Sequence, residues 1–170
     1  MTTGIYQMNF SDQAYYVGKS QDIEQRWKQH KDSFEKRSSA KPVLQAYDLF
    51  GPPNFTVVLE CNKDFLDYME AYFIDIQSQY PNCLNTTIPK LDPNVDYPWL
   101  LNNRHLLQHS MPQMLKILVE YHTKIAQLKK SSGLQESEQL VQQYHEQLLN
   151  TQDKLLKLKN KPLLERIFNW

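Results

Sequence analysis

Residues 4–30 read GIYQMNFSDQAYYVGKSQDIEQRWKQH, and a change of period inside this stretch decides the fold. Residues 4–8 and 14–18 are short, aromatic and β-branched. They flank the polar segment Asn9-Phe10-Ser11-Asp12-Gln13, which reads as a turn, so the pair predicts a β-hairpin. Asp22 then supplies a helix-capping side chain. Ile23, Trp27, His30 and Phe34 recur at steps of three and four, which predicts an amphipathic helix that stops before the Ser38-Ser39 loop. On that helix Arg26 and His30 are one turn apart and share a face.

Outward from this stretch the elements alternate in type. Pro42 suits the first turn of a second helix carrying Val43, Leu44, Tyr47 and Phe50, and Gly51-Pro52-Pro53 stops it. A strand-like run covers residues 55–60. Asp64 opens another helix with Phe65, Tyr68, Met69, Tyr72, Phe73 and Ile76, ending by Pro81. The order through the first half is therefore strand, strand, helix, helix, strand, helix. Pro89, Pro93 and Pro98 forbid a long helix across residues 86–99, while Asp92, Asn94 and Asp96 favour turns. Beyond this segment Met114, Leu118, Tyr121, Ile125 and Leu128 alternate steps of four and three, as a coiled-coil seam does. Leu134, Val141, Tyr144, Leu148, Leu155 and Leu158 repeat the pattern after Ser131-Ser132-Gly133. Two such helices predict either an antiparallel hairpin or one interrupted helix that pairs with a second subunit. Pro162 opens a short last helix over residues 163–168.

The 170 residues carry no net charge and are 41% apolar, which suits one or two folded domains. No stretch approaches the roughly 20 apolar residues of a spanning helix, and no basic segment followed by an apolar run opens the chain. The expectation is a protein of its host cell's cytoplasm with no membrane partner. Cys61 and Cys83 are the two cysteines. Their wide separation argues against a zinc module or a disulfide framework. A polyanion partner is nonetheless compatible with zero net charge, because Lys19, Arg26, Lys28, Lys31, Lys36, Arg37 and Lys41 make one segment locally basic. Lys154, Lys157, Lys159 and Lys161 form a second cluster.

Gly4-Ile5-Tyr6, Tyr16-Val17-Gly18, Arg26, His30, Glu70 within Tyr68-Met69-Glu70-Ala71-Tyr72-Phe73-Ile74, and Asn85 follow one another in an order and spacing that resembles the GIY-YIG nuclease family. Val17 stands where the family name has isoleucine, and both are β-branched and apolar. The resemblance implies an α+β fold over residues 1–88, a small three-stranded antiparallel sheet flanked by helices. Residues 89–111 are then a linker with a short helix, and residues 112–170 a helical region that positions DNA or forms a homodimer.

The resemblance also implies a magnesium-dependent DNA endonuclease. Phosphodiester hydrolysis needs an activated water, charge stabilisation at the phosphate and neutralisation of the leaving alkoxide. Glu70 is the expected metal ligand. One carboxylate suffices for Mg2+, which keeps several waters, and Mn2+ is an expected substitute. Tyr6 is expected to activate the water, with Lys19 and Arg26 as cations that ease loss of its proton. Tyr16 would orient the water or phosphate. Arg26 would bridge the scissile phosphate, His30 would hydrogen-bond Tyr6 or act as the base, and Asn85 would support the backbone of the site. Lys19, Lys28 and Asn85 are further expected DNA or phosphate contacts, and Tyr47 is a weaker carry-over. Gly4 and Gly18 are expected to shape the site without reacting, and Trp27 to join the core.

Family resemblance names a reaction and not a target. The compact layout fits a small phage-borne or mobile-element nuclease. The alternatives are a restriction-type dimer, a structure-specific or RNA-directed nuclease, and a non-catalytic interaction protein on a nuclease scaffold. Retention of Tyr6, Arg26 and Glu70 argues against the last.

Overall fold

The computed structural model describes residues 1–11, 14–132 and 146. Two compact units divide between Leu91 and Asp92. The first contains β1 (Gly4–Ser11), β2 (Ala14–Ser20), α1 (Ile23–Glu35), α2 (Lys41–Phe50), β3 (Asn54–Glu60) and α3 (Leu66–Ser78). The second contains α4 (Tyr97–Asn102) and α5 (Met111–Ser132).

The first unit has the expected α+β architecture. Its three strands are antiparallel in the order β2-β1-β3. The hairpin is longer than its sequence pattern implies: Asn9, Phe10 and Ser11 belong to β1 and not to the turn. Phe10 is buried and Asn9 pairs with both Tyr15 and Asn54, so cross-strand partners override the polar local signal. Between β1 and β3 the register shifts from Ile5↔Leu59 to Tyr6↔Val57. Val58 is the extra residue, and the resulting bulge lies beside Tyr6.

Alternation along the strands sends side chains to two faces. Tyr6, Met8 and Phe10 join Ile23 and Phe34 of α1 and Val43 and Ala46 of α2 in one apolar cluster, which Trp27, Tyr47 and Phe55 border. The rings of Phe34 and Tyr47 stack at 4.5 Å and 9° between α1 and α2. Fully burying a large apolar side chain such as Met8, Ile23 or Phe34 contributes about 1.5–3 kcal/mol. Ile5 and Val17 face the other way and are fully buried, and α3 lies against β2 and β1 on that side.

Caps explain where the helices begin. The Asp22 carboxylate accepts the Gln25 amide at the start of α1, as expected. Pro42 occupies the first turn of α2. Before α3 the capping residue is Asn62 and not Asp64: its side chain accepts the Asp64 amide and opens a short 3-10 turn, Lys63–Phe65.

Within the second unit, Asp96 caps α4, with Pro98 in its first turn. Met111, Met114 and Leu118 of α5 are buried, but Tyr121 is 53% exposed, so the expected seam is not continuous through it. The expected helices beyond Gly133, the seam residues Leu134 to Leu158 and the lysines at 154–161 lie outside the described residues. Among the described residues no helix is long and apolar enough to cross a membrane.

Candidate active site

Tyr6 projects from the central strand toward α1, and the helix supplies its partners. The Tyr6 hydroxyl is 2.7 Å from His30 Nε2, and Arg26 Nε donates to the same oxygen at 3.3 Å. Because Arg26 can only donate, the phenol proton is directed at His30, whose Nε2 must then be the unprotonated ring nitrogen. Arg26 also donates from Nη1 to Gln29 Oε1 at 3.1 Å, and it is otherwise exposed. The geometry thus joins a buried phenol to solvent through an exposed guanidinium.

Protonation follows from burial. Tyr6 is 1% exposed, and desolvation pushes its hydroxyl up to about 12 against the opposing hydrogen bond and charge of Arg26. The His30 ring lies among Tyr6, Tyr16, Phe34 and Phe55, with centroids at 5.6 to 6.4 Å. Desolvation first, and the Arg26 charge second, hold it down at about 4. At neutral pH the pair is therefore a neutral phenol donating to a neutral imidazole. Tyr16 sits beside them on β2, and burial, with the Glu70 charge secondary, raises its hydroxyl above the ordinary tyrosine value.

Gly18 is paired with Tyr6 across the hairpin. A Cβ there would lie 2.5 Å from the Tyr6 oxygen, 2.6 Å from Cζ and 3.1 Å from Tyr16 Cε1. The missing side chain is the space the phenol occupies. At Gly4 a Cβ would overlap the Leu59 carbonyl oxygen, so close approach of β3 needs glycine there too.

Lys19 is adjacent in sequence but on the opposite sheet face. Its ammonium lies 2.7 Å from Glu70 Oε2 and 2.7 Å from Asp67 Oδ1, both on α3. Burial works against this charge, but the bonds to Asp67 and Glu70 keep the ammonium's pKa above the ordinary lysine value. Of the two cations expected to ease proton loss from Tyr6, Arg26 is the one that reaches it. Lys28 is exposed and lies about 200° around α1 from both Arg26 and His30, so the helix turns it away from their face. Tyr47 is in the apolar cluster, stacked on Phe34.

Asn85 acts on the sheet edge. Its Oδ1 accepts the Val17 amide at 2.9 Å and its Nδ2 donates to the Val17 carbonyl at 2.8 Å. Two residues earlier along β2, Tyr15 pairs with the backbone of Asn82 and Leu84. The Asn85 amide thus continues that short backbone pairing like one further peptide group, and it fixes β2 beside Tyr16 and Gly18.

Among the described residues no three His, Cys, Asp or Glu side chains gather as a metal cage. The donor chemistry still suits magnesium: Glu70 is a single carboxylate, 17% exposed, and a hard cation that retains waters needs few protein ligands. Asp67 and Gln29 are the site neighbours that motif reading missed. The spacing Asp67-x-x-Glu70, one helical turn, was the available signal for the first.

Comparison with known proteins gives one family. Residues 2–80 match the model described as the GIY-YIG catalytic domain. No curated protein and no solved structure matches the chain.

Proposed function

Given that this chain belongs to the GIY-YIG family of nucleases through residues 2–80, we propose that it is a metal-dependent DNA endonuclease of phage or mobile-element type, hydrolysing one phosphodiester bond per site. The observation that carries this reading is the Arg26–Tyr6–His30 arrangement, which places a proton acceptor 2.7 Å behind a phenol whose own loss of a proton is opposed by burial.

The steps of the chain's own residues follow. Water attacks phosphorus, and its proton passes to the Tyr6 oxygen as the phenol proton moves to His30 Nε2. No free phenolate need accumulate, so the high Tyr6 pKa is compatible with catalysis. Arg26 is exposed beside the same oxygen and suits a phosphate oxygen, where its charge stabilises the growing negative charge of the transition state. Tyr16 orients the water or the phosphate from the neighbouring strand. The P–O bond to the sugar breaks, and the leaving alkoxide takes a proton from solvent. Glu70 would hold Mg2+ or Mn2+, which when bound supplies positive charge for the leaving oxygen. Lys19 holds Glu70 at rest, and Asn85 keeps β2 in place.

Cleavage of supercoiled plasmid, linear duplex, single strand and RNA, with magnesium and with chelator, tests this reading. Metal-dependent DNA cleavage by the wild type that Glu70→Ala loses, with DNA binding retained, is the expected result. Turnover by folded, metal-replete Glu70→Ala would overturn the metal-ligand role. The homodimer that double-strand cutting would use rests on the helical half, most of it outside the described residues, and sedimentation of the full chain decides it.

A further inference from the structure

The ammonium of Lys19 stands on the carboxylate that the proposed chemistry assigns to a metal ion. Its Nζ is 2.7 Å from Glu70 Oε2 and 2.7 Å from Asp67 Oδ1. A divalent cation and an ammonium compete for one carboxylate oxygen, since their like charges repel at such distances. If Glu70 were the ammonium's sole carboxylate partner, uptake of the cation would leave a partly buried charge without its counter-ion, which opposes uptake.

Asp67 removes that obstacle by its place on the helix. It lies one turn before Glu70 on the same face of α3, and it is the outer of the two carboxylates, 75% exposed against 17% for Glu70. The recessed carboxylate, Glu70, is also the one whose charge acts on the Tyr6 and Tyr16 hydroxyls. The outer one faces solvent and already holds the ammonium at 2.7 Å.

We propose that Asp67 is a positioning residue for Lys19, retaining its ammonium when a divalent cation takes over the Glu70 carboxylate. The inference rests on Glu70 being the metal ligand. Asp67 acts through Lys19 and is not itself a ligand. The trio works as an exchange: at rest Lys19 bridges both carboxylates, and in the loaded state Asp67 carries Lys19 while Glu70 faces the metal.

Binding of Mn2+ alone, without DNA, tests this by titrating the full chain and following the free-ion electron paramagnetic resonance signal. The proteins are the wild type, Asp67→Ala, Lys19→Met, the Asp67→Ala/Lys19→Met double variant and Glu70→Gln. Asp67→Ala should weaken Mn2+ binding on the order of tenfold, the equivalent of one charge-assisted hydrogen bond. In the Lys19→Met background the same substitution should change nothing, because there is no ammonium left to hold. Unchanged affinity in Asp67→Ala, or an equal loss with and without Lys19, overturns the positioning role; the second pattern is that of a plain carboxylate contribution to the ion. Mn2+ binding that survives Glu70→Gln overturns the metal reading and this inference with it. Glu70-dependent binding that ignores Asp67 overturns the inference alone.

Discussion

Tyr6 and Lys19 stand one register pair apart on neighbouring strands, Tyr6 opposite Gly18 and Lys19 opposite Ile5, yet the sheet sends them into opposite surroundings. On the α1 face, Tyr6 and His30 are uncharged and joined by one hydrogen bond in an aromatic setting. On the α3 face, Lys19, Asp67 and Glu70 form an ion-pair group whose outer member is mostly solvated. Burial decides the difference: an isolated charge in the first setting would be strongly disfavoured, whereas mutual pairing and partial hydration sustain charges in the second. The proposed proton transfer and cation binding call for these contrary environments, and a sheet with two faces supplies both within neighbouring register pairs.

The contrast breaks most severely at the phenol. Tyr6→Phe keeps the ring and removes only the oxygen that links Arg26 to His30, so single-turnover cleavage should fall by about 10²–10⁴-fold with DNA binding little changed. A retained rate would move the base role to another group. Gly18→Ala attacks the same face by crowding, since the added carbon would meet the Tyr6 oxygen at 2.5 Å. The phenol must shift, and cleavage should drop by roughly 10²-fold with a stability loss of about 1–3 kcal/mol, measured by urea unfolding. Asn85→Ala tests the strand that both faces share. Losing the two bonds to Val17 should cost about 1–3 kcal/mol in the same assay, with a smaller loss of rate than at Tyr6.

The smallest effect separates the faces by pH. The His30 pKa of about 4 in the folded protein lies below its ordinary 6.5. Between those values the unfolded chain binds a proton that the folded one does not. Stability from this source is therefore complete above pH 6.5 and is lost as pH falls toward 4. His30→Gln should flatten that part of the stability profile when unfolding is followed at pH 7, 5.5 and 4.5. An unaltered slope would mean that His30 is not the group concerned.

Legibility in the sequence was uneven for identifiable reasons. The three-and-four spacing of Ile23, Trp27, His30 and Phe34 encodes α1 and the shared face of Arg26 and His30, because helical geometry is local. Phe10 read as part of a turn since its neighbours are polar, and only cross-strand pairing and burial draw it into β1. Asn62, rather than Asp64, caps the segment before α3, a choice between two nearby capping residues that backbone geometry makes. Lys28 shares the basic segment with Arg26, but the helix rotates it off the face that meets Tyr6. Asn85 was legible as a backbone support, although its partner Val17 lies 68 positions away.

Residue order by itself determined which groups are present and which share a face: the hairpin that opposes Tyr6 to Gly18, the helix that stacks Arg26 and His30, the turn that aligns Asp67 with Glu70. Those relations span a few residues and follow from the fixed periods of strand and helix. Tertiary structure decided what each group meets across the sheet, and so its charge. Packing α1 over Tyr6 leaves His30 neutral, packing α3 under β2 gives Lys19 two carboxylates, and Asn85 closes a strand edge from the far end of the domain. Desolvation and pairing depend on neighbours brought together from distant parts of the chain, and no local period encodes them.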